Sequence, residues 1–341
     1  MPDMMDNRAF VVGDKPYCVW YGKGTTEAFL KEIDTKYFLY LAEVHSQNLD
    51  GNNKEKAFIA LRTAYHQGLE TLFMLLFATL QAPNSVVGWL LKCKTQQLHQ
   101  FVKDVSAGKL PFIWKWKLKA NSWDGISELI NGRLFADSED CVKIHEHFAR
   151  TLEKLASDYS ERHSSNEYNS FKHGFRASSG SGPTFSFNTN DKPSLVLSSE
   201  YGTTFNVIKA LEGIKPGSHL DHHFILEHCH VSSDAKMTAS ALSMIAMSIH
   251  NIVAFLKILH SFPIEEIQIM RHANEETFQT FLKPPEKLGL GAVAISFNIK
   301  KEMVSLTKQQ IMERLTKLKE KNTSLQPSVL PMEKENFHPP S

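Results

Sequence analysis

Apolar and polar positions follow two different rhythms along the 341 residues of this chain. Up to about residue 173 the period is mostly helical, near 3.6, broken by one period-two run at 114–119, and beyond residue 183 further short period-two runs enter. The densest apolar stretch is 54–80, KEKAFIALRTAYHQGLETLFMLLFATL, where Phe58, Leu61, Tyr65, Leu69, Leu72, Phe73, Leu76 and Phe77 leave little polar surface. A helix that is apolar nearly all round is a buried helix. Through it runs a polar ladder, Arg62, His66 and Glu70, spaced four apart and so predicted to share one helix side. Charged groups stay in such places when they are paired. The ladder is therefore either a buried structural network or the wall of a site.

Around it the pattern predicts a helix from about 25 to 46, with Thr25 or Thr26 as cap and Phe29, Ile33, Tyr37, Leu41 and Val44 on one face. Asn52 and Asn53 offer caps for the ladder helix, and Pro83 and Asn84 end it. A third helix is expected from Ser85 through Trp89, Leu98 and Val102 to a stop at Gly108. A short helix at 123–131 precedes a long one capped by Asp137 or Ser138, carrying Ile144, Phe148, Leu152, Leu155 and Tyr159. That helix continues, or restarts at Ser165, towards Gly174. Short connections predict antiparallel neighbours in a bundle.

Residues 178–182, SSGSG, break this texture. A hairpin over TFSFN and SLVLSS, a strand at 222–231, an Asp234-capped helix to about His260, a strand at 288–297 and a charged helix at 307–321 follow. The expected fold is mainly α: an antiparallel helical bundle with a smaller α+β portion of a few antiparallel strands. Its parts are an irregular or extended segment (1–25), the bundle (26–177), the α+β portion (183–322) and a disordered tail (323–341). The long helix 234–260 is placed to pack back on the bundle.

Composition narrows the function classes a little. With 38 basic against 37 acidic residues, global charge argues neither for nor against a nucleic-acid partner, and only local patches could. Four scattered cysteines, none in a C-x-x-C pair, argue against a cysteine-rich zinc site or a disulfide framework. No secretory pattern is seen, and the longest apolar run, 241–259, holds His250, Asn251 and Lys257. A cytoplasmic protein with no membrane partner is expected.

Chemistry could reside in four places. In the ladder, Arg62 could hold phosphate or carboxylate, His66 could transfer protons and Glu70 could orient the imidazole. In the segment NEYNSFKHGFR, Asn169, Lys172, His173 and Arg176 either compensate a helix dipole or face the ladder across the bundle. In KLPFIWKWKLK, Lys115 and Lys117 alternate with tryptophans, as an edge strand or as phosphate contacts. His219, His222, His223, His228 and His230, with Asp221, Glu227 and Cys229, lack any familiar metalloenzyme spacing, so neither metal nor cofactor is expected. Gly22-Lys-Gly24 before a helix is not a Walker A loop.

The Arg62-x-x-x-His66 element and the Asn169-x-x-Lys172-His173-Gly174 element together resemble the HEPN superfamily of helical RNA-binding and RNA-cleaving proteins. Three residues, not four to six, separate Arg62 from His66, and Asn169 stands where the family would place an arginine. The resemblance spans at most residues 25–177. It implies an RNA-binding protein or metal-independent ribonuclease, with Arg62, His66, Glu70, Asn169 and His173 catalytic. Lys172, Arg176, Lys115 and Lys117 would then bind substrate. The alternative is a non-catalytic interaction or scaffold protein with a structural ladder. An exposed apolar bundle face would permit a homodimer.

Overall fold

The fold is described from a computed structural model, for residues 8–19, 22–109, 122–136, 138–172, 177–179, 185–189, 192–197, 202–210, 223–271, 275–282, 292–300 and 308–323. Mainly helical, it carries small antiparallel sheets. The chain divides into two compact units, Met1–Val207 with Glu227–Ile295, and Ile208–Leu226 with Ser296–Ser341. Every side chain discussed as a site below belongs to the first.

The first unit opens with a hairpin where an irregular or extended segment was expected. Strands β1 (Arg8–Val12) and β2 (Lys15–Val19) pair antiparallel, Phe10 opposite Tyr17. Its turn is tied to the bundle: the Gly13 N–H donates to Gln81 Oε1 at 3.2 Å, and the Trp89 indole donates to the same oxygen at 2.8 Å.

The helix expected over 25–46 is two helices, α1 (Gly22–Glu32) and α2 (Tyr37–Ser46). Polar side chains at the break compete for local backbone and distant partners. Asp34 accepts the Lys36 N–H at 2.9 Å, and Thr35 Oγ1 lies 2.8 Å from His250 Nδ1. Thr26 is no cap; its hydroxyl donates to Gly22 O at 2.9 Å and accepts from Val86 N at 3.2 Å.

The ladder helix α3 (Lys54–Gln81) starts after Asn53 and stops before Pro83, as the sequence predicts. The next expected helix is also split, into α4 (Val86–Lys92) and α5 (Thr95–Ser106). The extended Cys93 and Lys94 separate them, and Gln97 Oε1 caps the second by accepting the Lys94 N–H at 3.1 Å. Gly108, at φ +70°, ends this run, a backbone conformation that glycine adopts without a Cβ penalty.

Helix α6 (Trp123–Ser127), capped by Ser122, runs into a single π turn at Glu128–Gly132. Helix α7 (Cys141–Ser160) buries Ile144, Phe148, Leu152, Leu155 and Tyr159, and the chain restarts as α8 (Arg162–Lys172). Of its two expected caps, Asp137 lies outside the described residues, and Asp140 takes the cap position instead of Ser138.

Strand β3 (Ala177–Ser179) pairs with β6 (Gly202–Ala210), Ser179 opposite Thr203, and the order continues through β7 (His223–Ser232) to β8 (Ala292–Lys300). The expected hairpin is β4 (Phe185–Thr189) with β5 (Lys192–Leu197), Phe185 opposite Leu197. Helix α9 (Ala235–Leu259) begins as expected, with Asp234 accepting the Met237 N–H at 2.8 Å.

Among the described residues α9 alone is long and apolar enough to cross a membrane, but 72% of its apolar window is buried. It is a core helix, packed against α2 and α3. At Gly68 of α3 a Cβ would come within 3.1 Å of Ile245 and Leu242, so glycine permits that approach. A short helix α10 (Glu275–Leu282) packs on α7 and α9. In the second unit, α11 (Lys308–Thr323) is the charged helix expected at 307–321. The Lys/Trp segment and the tail after residue 323 lie outside the described residues.

Candidate functional site

Arg62 and His66 sit one turn apart on α3, with Arg62 Nη2 3.4 Å from His66 Nε2. Their common partner is Glu167 on α8, 105 residues from Arg62 in sequence. The guanidinium grips the carboxylate with two donors: Nε donates to Oε1 at 3.0 Å and Nη2 donates to Oε2. This fork geometry is the strong form of an arginine–carboxylate pair. His66 Nε2 lies 3.1 Å from the same Oε2, and the Thr203 hydroxyl on β6 donates to Oε1. Two donors on each oxygen use the four acceptor positions of a carboxylate.

The rest of the shell orients these groups. Ser164 Oγ lies 3.5 Å from His66 Nδ1, so a ring that donates from Nε2 to Glu167 can accept from Ser164. Tyr168 stacks on His66 with centroids 5.4 Å apart, and Arg62 lies over the Tyr65 ring at 5.3 Å. Tyr65 in turn donates its hydroxyl to Asp158 at 2.7 Å.

The network is sealed: Arg62 is 8% exposed, His66 3%, and the Glu167 side chain 0%. Burial opposes each charge, and pairing decides the outcome. Desolvation would lift the Glu167 pKa, but Arg62 and then His66 hold it well below the usual carboxylate range. Desolvation works against the Arg62 charge, and Glu167 overcomes it, raising the guanidinium pKa. For His66 desolvation wins over Glu167 and lowers the pKa, so the ring is neutral at pH 7.

Glu70 does not orient His66, a correction to the expected ladder. Four residues of helix advance about 40° beyond a full turn, so Glu70 is about 80° around from Arg62. It accepts instead from Thr95 at 3.0 Å, Tyr168 at 2.9 Å and Lys172 at 2.9 Å. Lys172 therefore does reach α3, as one reading of its segment expected. Asn169 is exposed, roughly 200° around α8 from the buried Glu167. His173 and Arg176, and likewise Lys115 and Lys117, lie outside the described residues.

Glu167, Thr203 and Tyr168 are the site residues that sequence reasoning missed. A signal for one of them existed. A buried Arg–His pair demands a carboxylate, and Glu167 is the acidic residue of the NEYNSFK segment.

Of the histidine cluster, His219, His222 and Asp221 lie outside the described residues, as does the His223 side chain. His228 is exposed and pairs with Asn206 at 2.8 Å, while His230 is buried with Nδ1 2.9 Å from Thr204 Oγ1. Among the described residues no group of three or more His, Cys, Asp or Glu side chains is placed to hold a metal ion.

No family model, curated protein or solved structure matches this chain.

Proposed function

We propose that the chain is a non-catalytic helical interaction protein and that Arg62, His66 and Glu167 form its internal clamp. The observation that carries this reading is the closure of the Glu167 carboxylate. Both oxygens are consumed by α3 and β6 donors, and the side chain has no exposed surface. A general acid or base must come within hydrogen-bond reach of a substrate proton. Arg62 cannot hold a phosphate while its fork is filled by Glu167.

The HEPN-like reading, an RNA-binding protein or metal-independent ribonuclease, draws on the same Arg62–His66 pair and requires it to open to solvent. One experiment separates the two. Purified protein is incubated with mixed RNA in EDTA, and binding at low salt is followed in parallel. The clamp reading expects no cleavage, and it expects His66→Ala to lower the unfolding midpoint. Metal-independent cleavage that is lost in His66→Ala at unchanged stability would establish the ribonuclease instead.

A further inference from the structure

Beyond α9 the chain turns at Ser261 (φ +57°) and runs back along the helix it has just left. At one end of this strap the Phe262 N–H donates to Lys257 O at 3.0 Å. At the other, Gln268 and Met270 lie against His250 and Asn251, which hold strap backbone rather than side chains. His250 Nε2 donates to Gln268 O at 2.9 Å. The Asn251 amide grips Met270 twice, donating to its carbonyl and accepting its N–H, each at 2.9 Å. Backbone groups two residues apart therefore face α9, and the Ile269 side chain between them is 44% exposed. An extended peptide is held in this way, by main-chain bonds open to many sequences.

Both α9 side chains are aimed from behind, by residues outside the strap. The Gln268 carbonyl can only accept, so His250 Nε2 carries the proton and Nδ1 accepts from the Thr35 hydroxyl at 2.8 Å. Asn251 Nδ2 also donates to Asn131 Oδ1 at 3.1 Å, and Asn131 Nδ2 donates to Ser127 Oγ at 3.2 Å, so the amide is oriented through the π turn. Side chains fixed in advance lower the cost of binding. His250 is 8% exposed and Asn251 1%, whereas none of residues 261–271 is buried and Ile264 is 78% exposed. A built polar site thus carries an occupant that brings it no buried side chain. Charge matches as well. The Lys31 and Lys257 ammonium groups lie 6.0 and 5.7 Å from the centroid of the Phe262 ring, and the acidic pair Glu265 and Glu266 follows on the strap.

We propose that this face of α9 is a docking site for an extended acidic–apolar segment of a partner protein, and that residues 262–271 cover it until the partner displaces them. The partner's backbone takes the places of Gln268 and Met270 on His250 and Asn251, and its acidic residues lie towards Lys31 and Lys257. The partner reproduces the bonds it replaces, so exchange has to overcome only the advantage of a tethered occupant. The inference rests on the interaction reading above and names its partner class. It uses no residue of the clamp, and the RNA assay decides that reading without bearing on this site.

The probe is a fluorescent peptide of residues 261–271, SFPIEEIQIMR, whose anisotropy is followed on titration with the full chain. Met270→Pro in the protein removes the N–H that Asn251 accepts and loosens the cover. This variant is expected to bind the peptide at least tenfold more tightly than wild type. A peptide with proline in place of its methionine should bind at least tenfold more weakly, and one with both glutamates changed to glutamine at least threefold more weakly at low salt. Adding Asn251→Ala to Met270→Pro should abolish binding. A folded Met270→Pro protein that binds no better than wild type, or that accepts the proline peptide equally, overturns the proposal. So does a Met270→Pro dimer in light scattering that excludes the peptide, because a second copy's strap is then the occupant. If Met270→Pro does not fold, wild type at high peptide concentration decides: no binding, or equal binding of the proline peptide, overturns it as well.

Discussion

At the scale of single residues, the chain keeps two carboxylates of opposite character on neighbouring helices. Glu167 is sealed among donors, whereas Glu70 is part-exposed and meets Lys172 near solvent. Removing one partner of a buried pair strands the other charge, which costs about 3–5 kcal/mol. Glu167→Gln, which keeps the shape and removes the charge, should cost that much in urea unfolding. Glu70→Gln should cost less than about 1 kcal/mol, because water screens the pair it breaks. Equal losses in the two variants would refute the distinction. Arg62 and His66 were legible in sequence because a helix converts spacing into adjacency. Glu167 was not, because its proximity to Arg62 depends on how α8 lies against α3.

At the scale of elements, the junction of β6 and β7 shows how closely the backbone is fitted. A Cβ on Gly202 would stand 2.3 Å from His230 Nε2 and 2.9 Å from Val231 O. The ring can swing, but it is 4% exposed and held by Thr204, and the carbonyl cannot swing at all. Gly202→Ala should therefore destabilise by about 1–3 kcal/mol, the usual cost of overpacking. In the His230→Ala background the same change should cost less, because the ring clash is gone. An additive double mutant would show that the strain lies with Val231 alone. Of these two strands β7 falls where the sequence places one, at 222–231, whereas β6 was not foreseen. The two helix breaks could not be foreseen either, because both depend on side chains whose local bonds compete with continuing the helix. At the first break the partner is His250, which lies 215 residues away.

At the scale of the whole molecule, buried titratable groups tie stability to pH. Burial lowers the pKa of His66, of His230 and of His250 below the ordinary 6.5. Below pH 6.5 the unfolded chain takes up protons on these rings that the folded chain resists, so stability falls as pH falls. Glu167 acts in the same direction further down. Its folded pKa is depressed, so its contribution is complete above the ordinary 4.5 and is lost as pH falls below it. Denaturation followed from pH 7.5 to 4 should show a steady decline, shallower in His66→Gln between pH 6.5 and 5. Stability that rises on acidification in that window would mean that the rings are charged in the folded state.

Sequence by itself determined the helical class, the buried character of α3 and α9, the start of α3 after Asn53, the cap at Asp234, the β4–β5 hairpin and the Arg62–His66 spacing. Each is a local matter, fixed by periodicity, turn chemistry or helical pitch. Tertiary structure decided which carboxylate meets Arg62, why Glu70 turns to Lys172 and why α1 and α2 part at Thr35. These pairings join residues far apart in the chain. Burial and the angle of one helix on another settle them, and neither quantity is written in the spacing of residues along one element.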